Sequence, residues 1–161
     1  MSFFESKPSG VLRLLFRLPI ALFKLHLGWL LDHRFLLLTH RGRTTGRVCR
    51  TVLEVIRYDA KTGESIVISG YGKRADWFRN IEKTPALSIA IGSNRFEPVQ
   101  HILSASEAYD VLEQWQRQHP LEARIFRRLY DLPPEPSENA LSRFVETYPL
   151  ISFRSRPHPP V

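Results

Sequence analysis

The sequence predicts an α+β domain, with six or so mostly antiparallel strands in a barrel-like sheet and helices at both ends. Three observations carry this. Near residue 35 the apolar pattern switches from a 3.6-residue period to short runs and alternations. Turn signals rather than helices separate those runs, so the strict βαβ alternation of a doubly wound sheet is missing. The last third then returns to helical spacing. With 161 residues and 43% hydrophobic content, the chain suits one domain, 1–161, with a packed core, and wholesale disorder is excluded. It divides into an amphipathic N-terminal segment (1–33), a barrel core (34–104) and a C-terminal part with helices and a last strand (105–161).

Residues 10–31 (GVLRLLFRLPIALFKLHLGWLL) carry Leu12, Leu15, Phe16, Ile20, Phe23, Leu27 and Leu30 at helical spacing. Arg13, Arg17 and Lys24 interrupt the run near one face, and Pro19 kinks or divides it, so it reads as an amphipathic helix pair and not a membrane span. The segment either packs on its own domain or lies on an anionic membrane surface. Charges inside the apolar stretch, with no small-residue site after it, argue against a cleaved signal peptide.

From there FLLLTH (35–40) is a short strand, RGRTTGR (41–47) a basic turn, and VCRTVLEVIRYD (48–59) an alternating strand that forms a hairpin with SIVISG (65–70). GYGKRADWFRNIEKTP (70–85) gives a glycine-rich turn and a short helix from about Ala75, stopped by Pro85. ALSIAIG (86–92) and RFEPVQHILS (95–104) form a second hairpin, in which Pro98 limits the latter strand to an edge or a bulge. SASEAYDVLEQWQRQ (104–118) is a helix capped by Ser104 or Ser106. Pro120 to Tyr130 forms a second helix, NALSRFVE starts a third, and LISFRSR (150–156) is a last strand.

Charge is unevenly placed. The net charge is +7, and residues 1–53 hold nine Lys/Arg against Glu5 and Asp32, so the whole surplus lies in the first third. That third suits a phosphate, a carboxylate or an anionic surface. No nucleic-acid-binding motif is present and the remainder is neutral, so nucleic acid is not expected as a partner. The single cysteine, Cys49, excludes an internal disulfide and suits a reducing compartment, the cytoplasm, with association at the inner face of the membrane through residues 10–31 as the finer expectation. There is no HExxH and no cysteine pair for zinc, and the six histidines show no ligand spacing, so no metal is expected and the histidines are assigned to surface or capping positions.

Two clusters can carry chemistry. Arg41, Arg43, Arg47 and Arg50 crowd an acid-free stretch in which Gly42 and Gly46 bracket Thr44 and Thr45. Guanidinium forks plus a tight turn make an oxyanion cradle; the plain alternative is a solvated basic turn. The second cluster is Ser69-Gly70-Tyr71-Gly72-Lys73-Arg74 followed by Asp76-Trp77-Phe78-Arg79-Asn80. Its glycines let backbone approach a ligand, and Trp77 and Tyr71 offer flat faces; the plain alternative makes Trp77 and Phe78 core anchors.

Leu38-Thr39-x-x-Gly42-Arg43-Thr44-Thr45-Gly46-x-x-x-Arg50, then Ser69-Gly70-Tyr71-Gly72-x-x-x-Asp76-Trp77-x-x-Asn80, then Pro85 before a strand, resembles the deazaflavin (F420)-dependent nitroreductase family, the F420H2-dependent quinone-reductase-like proteins. The resemblance spans about residues 10–155 and includes His119-Pro120-x-x-Ala123-Arg124. It implies a split β-barrel and coenzyme F420 as cofactor, with FMN or haem as alternatives. It implies that Arg43, Thr45, Arg47 and Arg50 grip the phosphate and acidic tail, that Ser69, Gly70 and Gly72 lie near the ring or phosphate, and that Trp77 and Asn80 shape the same pocket. Many relatives have a lysine or arginine and then serine at Thr44-Thr45, and a longer glycine-rich loop at Tyr71-Gly72-Lys73. The implied reaction is hydride transfer to a quinone, a nitro compound or an electron-poor double bond, with Tyr71 or solvent as the proton donor. The rival is a non-enzymatic split-barrel module holding a flavin, haem or lipid-like ligand.

Overall fold

The computed structural model describes residues 33–133 and 137–156. The amphipathic segment 10–31 lies outside the described residues, as do the last five residues. The strands are β1 (Phe35–Arg41), β2 (Val48–Asp59), β3 (Glu64–Ile68), β4 (Ser88–Ile91), β5 (Asn94–Phe96), β6 (Pro98–Ile102) and β7 (Leu150–Ser155). The helices are α1 (Asp76–Lys83), α2 (Ala105–Gln118), α3 (Pro120–Leu129) and α4 (Glu138–Thr147), with a 3-10 turn at Gly72–Arg74. The α+β class and barrel read from the sequence are therefore what the chain adopts.

All pairings are antiparallel, in the order β5-β4-β1-β2-β3-β7-β6. The two outer strands, β5 and β6, are separated in sequence only by Glu97, so the sheet returns on itself as a nearly closed barrel. The six expected strands become seven because the fifth, 95–104, is cut in two. Expected as one hairpin with 86–92, the segment 95–104 stays with β4 only to Phe96 and then pairs with β7. Pro98, the first residue of β6, lacks the N–H that a continued ladder needs, so the chain changes partner there. β7 lies in the interior of the sheet, between β3 and β6, although it is the last element of the chain.

Alternation sorts the core. Leu36 and Leu38 of β1, Val67 of β3, and Ile151 and Phe153 of β7 join Trp77, Phe78 and Ile81 of α1 in one buried cluster. Their opposite-facing neighbours Ile66 and Leu150 join Ala108, Val111 and Leu112 of α2 and Leu141, Phe144 and Val145 of α4 in a second. β3 and β7 are buried on both faces, which is why SIVI and LIS read as continuous apolar runs broken only by serine. The buried Glu64 ties these two strands. It accepts from Ser152 Oγ at 2.6 Å and Arg154 Nε at 2.8 Å, and pairs with Arg57 at 3.1 Å. Burial works to raise its pKa, but those hydrogen bonds outweigh it and hold the carboxyl below its ordinary value.

The expectation that the histidines sit at the surface or at caps fails at His40. It is 2% exposed, because strand alternation places it on the inward face with Leu36 and Leu38. His119 does cap, between α2 and α3.

Candidate functional site: a cleft beside the glycine turn

The turn after β3 is built on Ser69. Its buried Oγ donates to Gly72 O at 2.7 Å, and Gly72 N returns a bond to Ser69 O at 2.8 Å. Gly72 has φ +62°, and a Cβ there would lie 2.5 Å from Thr147 O at the end of α4. Only glycine lets these two backbones meet. At Gly70 a Cβ would stand 3.2 Å from the hydroxyl of Tyr130. Burial pushes the Tyr130 phenol pKa well up, so it is a neutral donor there, with its hydroxyl 3.5 Å from Gly70 O.

In front of this turn opens a cleft of about 750 Å3. Gly70, Tyr71, Gly72, Lys73, Arg74, Ala75, Asp76 and Trp77 form one side, and Thr147, Tyr148 and Thr51 complete it. The volume lies within the range of pockets that take a cofactor-sized molecule. Tyr71 is half exposed, whereas Trp77 is 8% exposed and belongs also to the core, so the two readings of that tryptophan hold together. Lys73 and Arg74 are exposed and carry no ion pair among the described residues, which leaves two uncompensated cations on the wall.

The arginine loop meets this region through one residue. The Arg43 backbone N–H donates to Asn80 Oδ1 at 2.9 Å, and Arg43 Nη1 reaches the same oxygen at 3.1 Å and Asp76 Oδ1 at 2.9 Å. Lys83 Nζ adds a bond to Arg43 O at 2.9 Å. Asp76 is largely exposed, so its pair is worth little, and the bonds to the 4%-exposed Asn80 carry most of the attachment. The rest of the loop is closed on itself. Gly42 N donates to Arg47 O and Gly46 N to Gly42 O, both at 2.8 Å, while Thr45 Oγ1 accepts from Arg47 N at 3.3 Å.

The expected residues therefore separate by position. Gly70, Tyr71, Gly72 and Trp77 line the cleft, Ser69 shapes its turn from behind, and Arg43 and Asn80 buttress it. Thr45, Arg47 and Arg50 are exposed on the loop and its following strand, outside the cleft lining. Sequence reasoning placed Lys73 and Arg74 in the second cluster without giving either a role, and it passed over two further residues: Thr51, hidden in an alternating strand, and His40, whose inward parity on β1 was legible.

A nearly closed antiparallel barrel of this kind, bearing an aromatic and cationic cleft at a glycine turn, is a split β-barrel. The model of the F420H(2)-dependent quinone reductase family matches residues 24–124, well over half of the chain. The chain belongs to that family: it is an oxidoreductase, and its cofactor is coenzyme F420. Among solved structures, an F420-H2 dependent reductase, FDR-A, is 14% identical with a TM-score of 0.50, over 76% of this chain and 96% of its own. A chain described as a domain-swapped dimer gives the same identity and TM-score, over 76% of this chain and 81% of its own. The Agrobacterium tumefaciens protein Atu2129, of unknown function, is 13% identical with a TM-score of 0.51, over 95% of this chain and 58% of its own. At these identities the likeness is one of fold. No curated protein matches the sequence. No helix among the described residues is long and apolar enough to cross a membrane.

Proposed function

We propose that the cleft beside the glycine turn seats F420, and that the electron acceptor is a quinone, a nitro compound or an electron-poor carbon–carbon double bond. The observation that carries this reading is the coincidence, in one cleft of about 750 Å3, of aromatic faces with two cations that carry no ion pair among the described residues, at a glycine turn. F420 joins a flat ring to an anionic tail, and the donor set fits both parts. Tyr71, Trp77 and Tyr148 are the walls for the ring, and Gly70 and Gly72 keep the backbone free of side chains where a planar group must come close. Lys73 and Arg74 attract the tail, with Arg47 on the neighbouring loop and Arg50 on the strand after it as outer cations. Thr45 and Arg43 hold that loop in shape, and Asn80 anchors it to α1.

When bound, the reduced cofactor supplies a hydride. The chain's own work is to align ring and acceptor and to keep bulk water off the reacting face. The Tyr71 hydroxyl, at the cleft and half exposed, is the group we assign to deliver the accompanying proton, with solvent as the alternative source. Fluorescence titration of the full chain with F420 tests the cofactor reading. Saturation in the micromolar range or below supports it, and no binding at tens of micromolar, about −6 kcal/mol, overturns it. Lys73→Ala with Arg74→Ala should weaken binding and flatten its dependence on salt. For residues 10–31 we retain contact with an anionic membrane from a cytoplasmic location as a proposal resting on their sequence alone; co-sedimentation with anionic liposomes, against a chain lacking residues 1–31, tests it.

A further inference from the structure

Between the arginine loop and the cleft runs one chain of hydrogen bonds, buried at Asn80–His40 and part-buried at either end, and its donors and acceptors can be assigned link by link. Asn80 Oδ1 faces two groups that only donate, the backbone N–H and Nη1 of Arg43. The amide orientation is therefore fixed, with Nδ2 turned to His40. Nδ2 lies 3.1 Å from His40 Nδ1, and an amide nitrogen only donates, so Nδ1 accepts and is bare. Burial pushes the His40 pKa down, against a smaller opposing pull from the Arg41 backbone, so the ring is neutral near pH 7. Its one proton then sits on Nε2, which is 3.2 Å from Thr51 Oγ1 and must donate to it. Thr51 Oγ1 is thereby an acceptor toward His40, with its own hydrogen left to give. Thr51 lines the cleft.

We propose that Thr51 is a hydrogen-bond donor of fixed polarity in the cleft, directed at a carbonyl oxygen of the bound ring or of the acceptor, and that His40 and Asn80 are positioning residues that set this polarity. The proposal rests on the reading of the cleft as the F420 site. It also gives the arginine loop a second role, because Arg43 orients Asn80 and through His40 that orientation reaches the cleft.

Three measurements on the full chain test it. Nitrogen-15 NMR of the histidine rings, on protein without ligand at pH 7, should show His40 protonated at Nε2 and bare at Nδ1. The opposite tautomer, or an imidazolium, overturns the proposal. Asn80→Asp replaces the Nδ2 donor by an acceptor, so His40 should gain a proton at Nδ1 and show the imidazolium signature at pH 7; an unchanged bare Nδ1 in the folded variant overturns it. Thr51→Val should weaken F420 binding about 5-fold to 10-fold if the carbonyl belongs to the ring. If it belongs to the acceptor, acceptor KM should rise by a similar factor with F420 affinity unchanged. Thr51→Ser, which keeps the hydroxyl, should restore either constant to within about 2-fold of the original protein. Both constants unchanged in Thr51→Val, with normal F420 binding by the unaltered chain, overturn this proposal alone. Failure of the unaltered chain to bind F420 overturns the cofactor reading and this proposal together.

Discussion

At Gly72 one hydrogen atom decides whether two elements can touch. Its positive φ and the 2.5 Å approach that a Cβ would make to Thr147 O act in the same direction. Gly72→Ala should cost at least about 2 kcal/mol, since strained backbone and overlap with a carbonyl add. Urea denaturation reads this directly, and an unchanged midpoint would mean that the end of α4 yields freely. Tyr71 is a test of chemistry instead. Tyr71→Phe should lower kcat by about 100-fold or more while F420 affinity stays, if the phenol delivers the proton. An unchanged kcat assigns that proton to solvent. Residues of the first kind are legible in sequence as glycines at turns. Asn80 was marked by its motif and His40 by its strand parity, but the link between them was not legible, because it forms across the barrel: Arg43 is 37 residues from Asn80, and His40 is 40.

Among the helices, α2 has the most explicit start. Ser104 Oγ accepts from Glu107 N at 3.4 Å, and Glu107 Oε2 accepts from Ser104 N at 2.8 Å, a reciprocal capping box. Ser104→Ala should cost about 1 kcal/mol of stability, measured by thermal or urea unfolding, whereas Ser106→Ala should cost much less. The same box sets a pH dependence. The Ser104 backbone N–H foremost, with help from His101, brings the Glu107 pKa down from 4.5 to about 2. A carboxyl whose folded pKa is depressed stabilises above its unfolded value, and the gain is lost as pH falls through the folded one. Glu107 should therefore weaken α2 between about pH 4.5 and 2, and Glu107→Gln should remove that part of the acid limb. Glu64 has the same sign between β3 and β7. The caps and breakers of α1, α2 and α3 were readable because they are local. The extent of the 86–104 hairpin was not, since the pairing of the chain beyond Pro98 depends on which strand waits across the barrel.

On the scale of the molecule, closure depends on the end of the chain. β7 pairs with β3 through Ser65–Ile68 partners and with β6 through Pro98–Ile102 partners, so it joins two strands that do not otherwise meet. Truncation before Leu150 should leave Glu64 without Ser152 and Arg154, bare two flanks of the sheet, and abolish cooperative unfolding by circular dichroism. A truncated chain that still unfolds in one sharp transition would show that the barrel is stable while open.

By itself the sequence determined what local periodicity and local chemistry can determine. It defined the α+β class, nearly every strand and helix, the capping serine of α2, the glycine turn with its aromatic neighbours, and the motif order that marks the family. Only the tertiary structure decided that Lys73 and Arg74 face the cleft while Thr45, Arg47 and Arg50 lie outside its lining, and that Arg43 is a clasp on Asn80. It alone brought His40 to Thr51 and put the last strand inside the sheet. The physical reason is range: a turn or a cap is fixed by neighbours within about four residues, whereas a cleft and a closed barrel are fixed by partners dozens of residues away, and composition and spacing carry no record of which partner that will be.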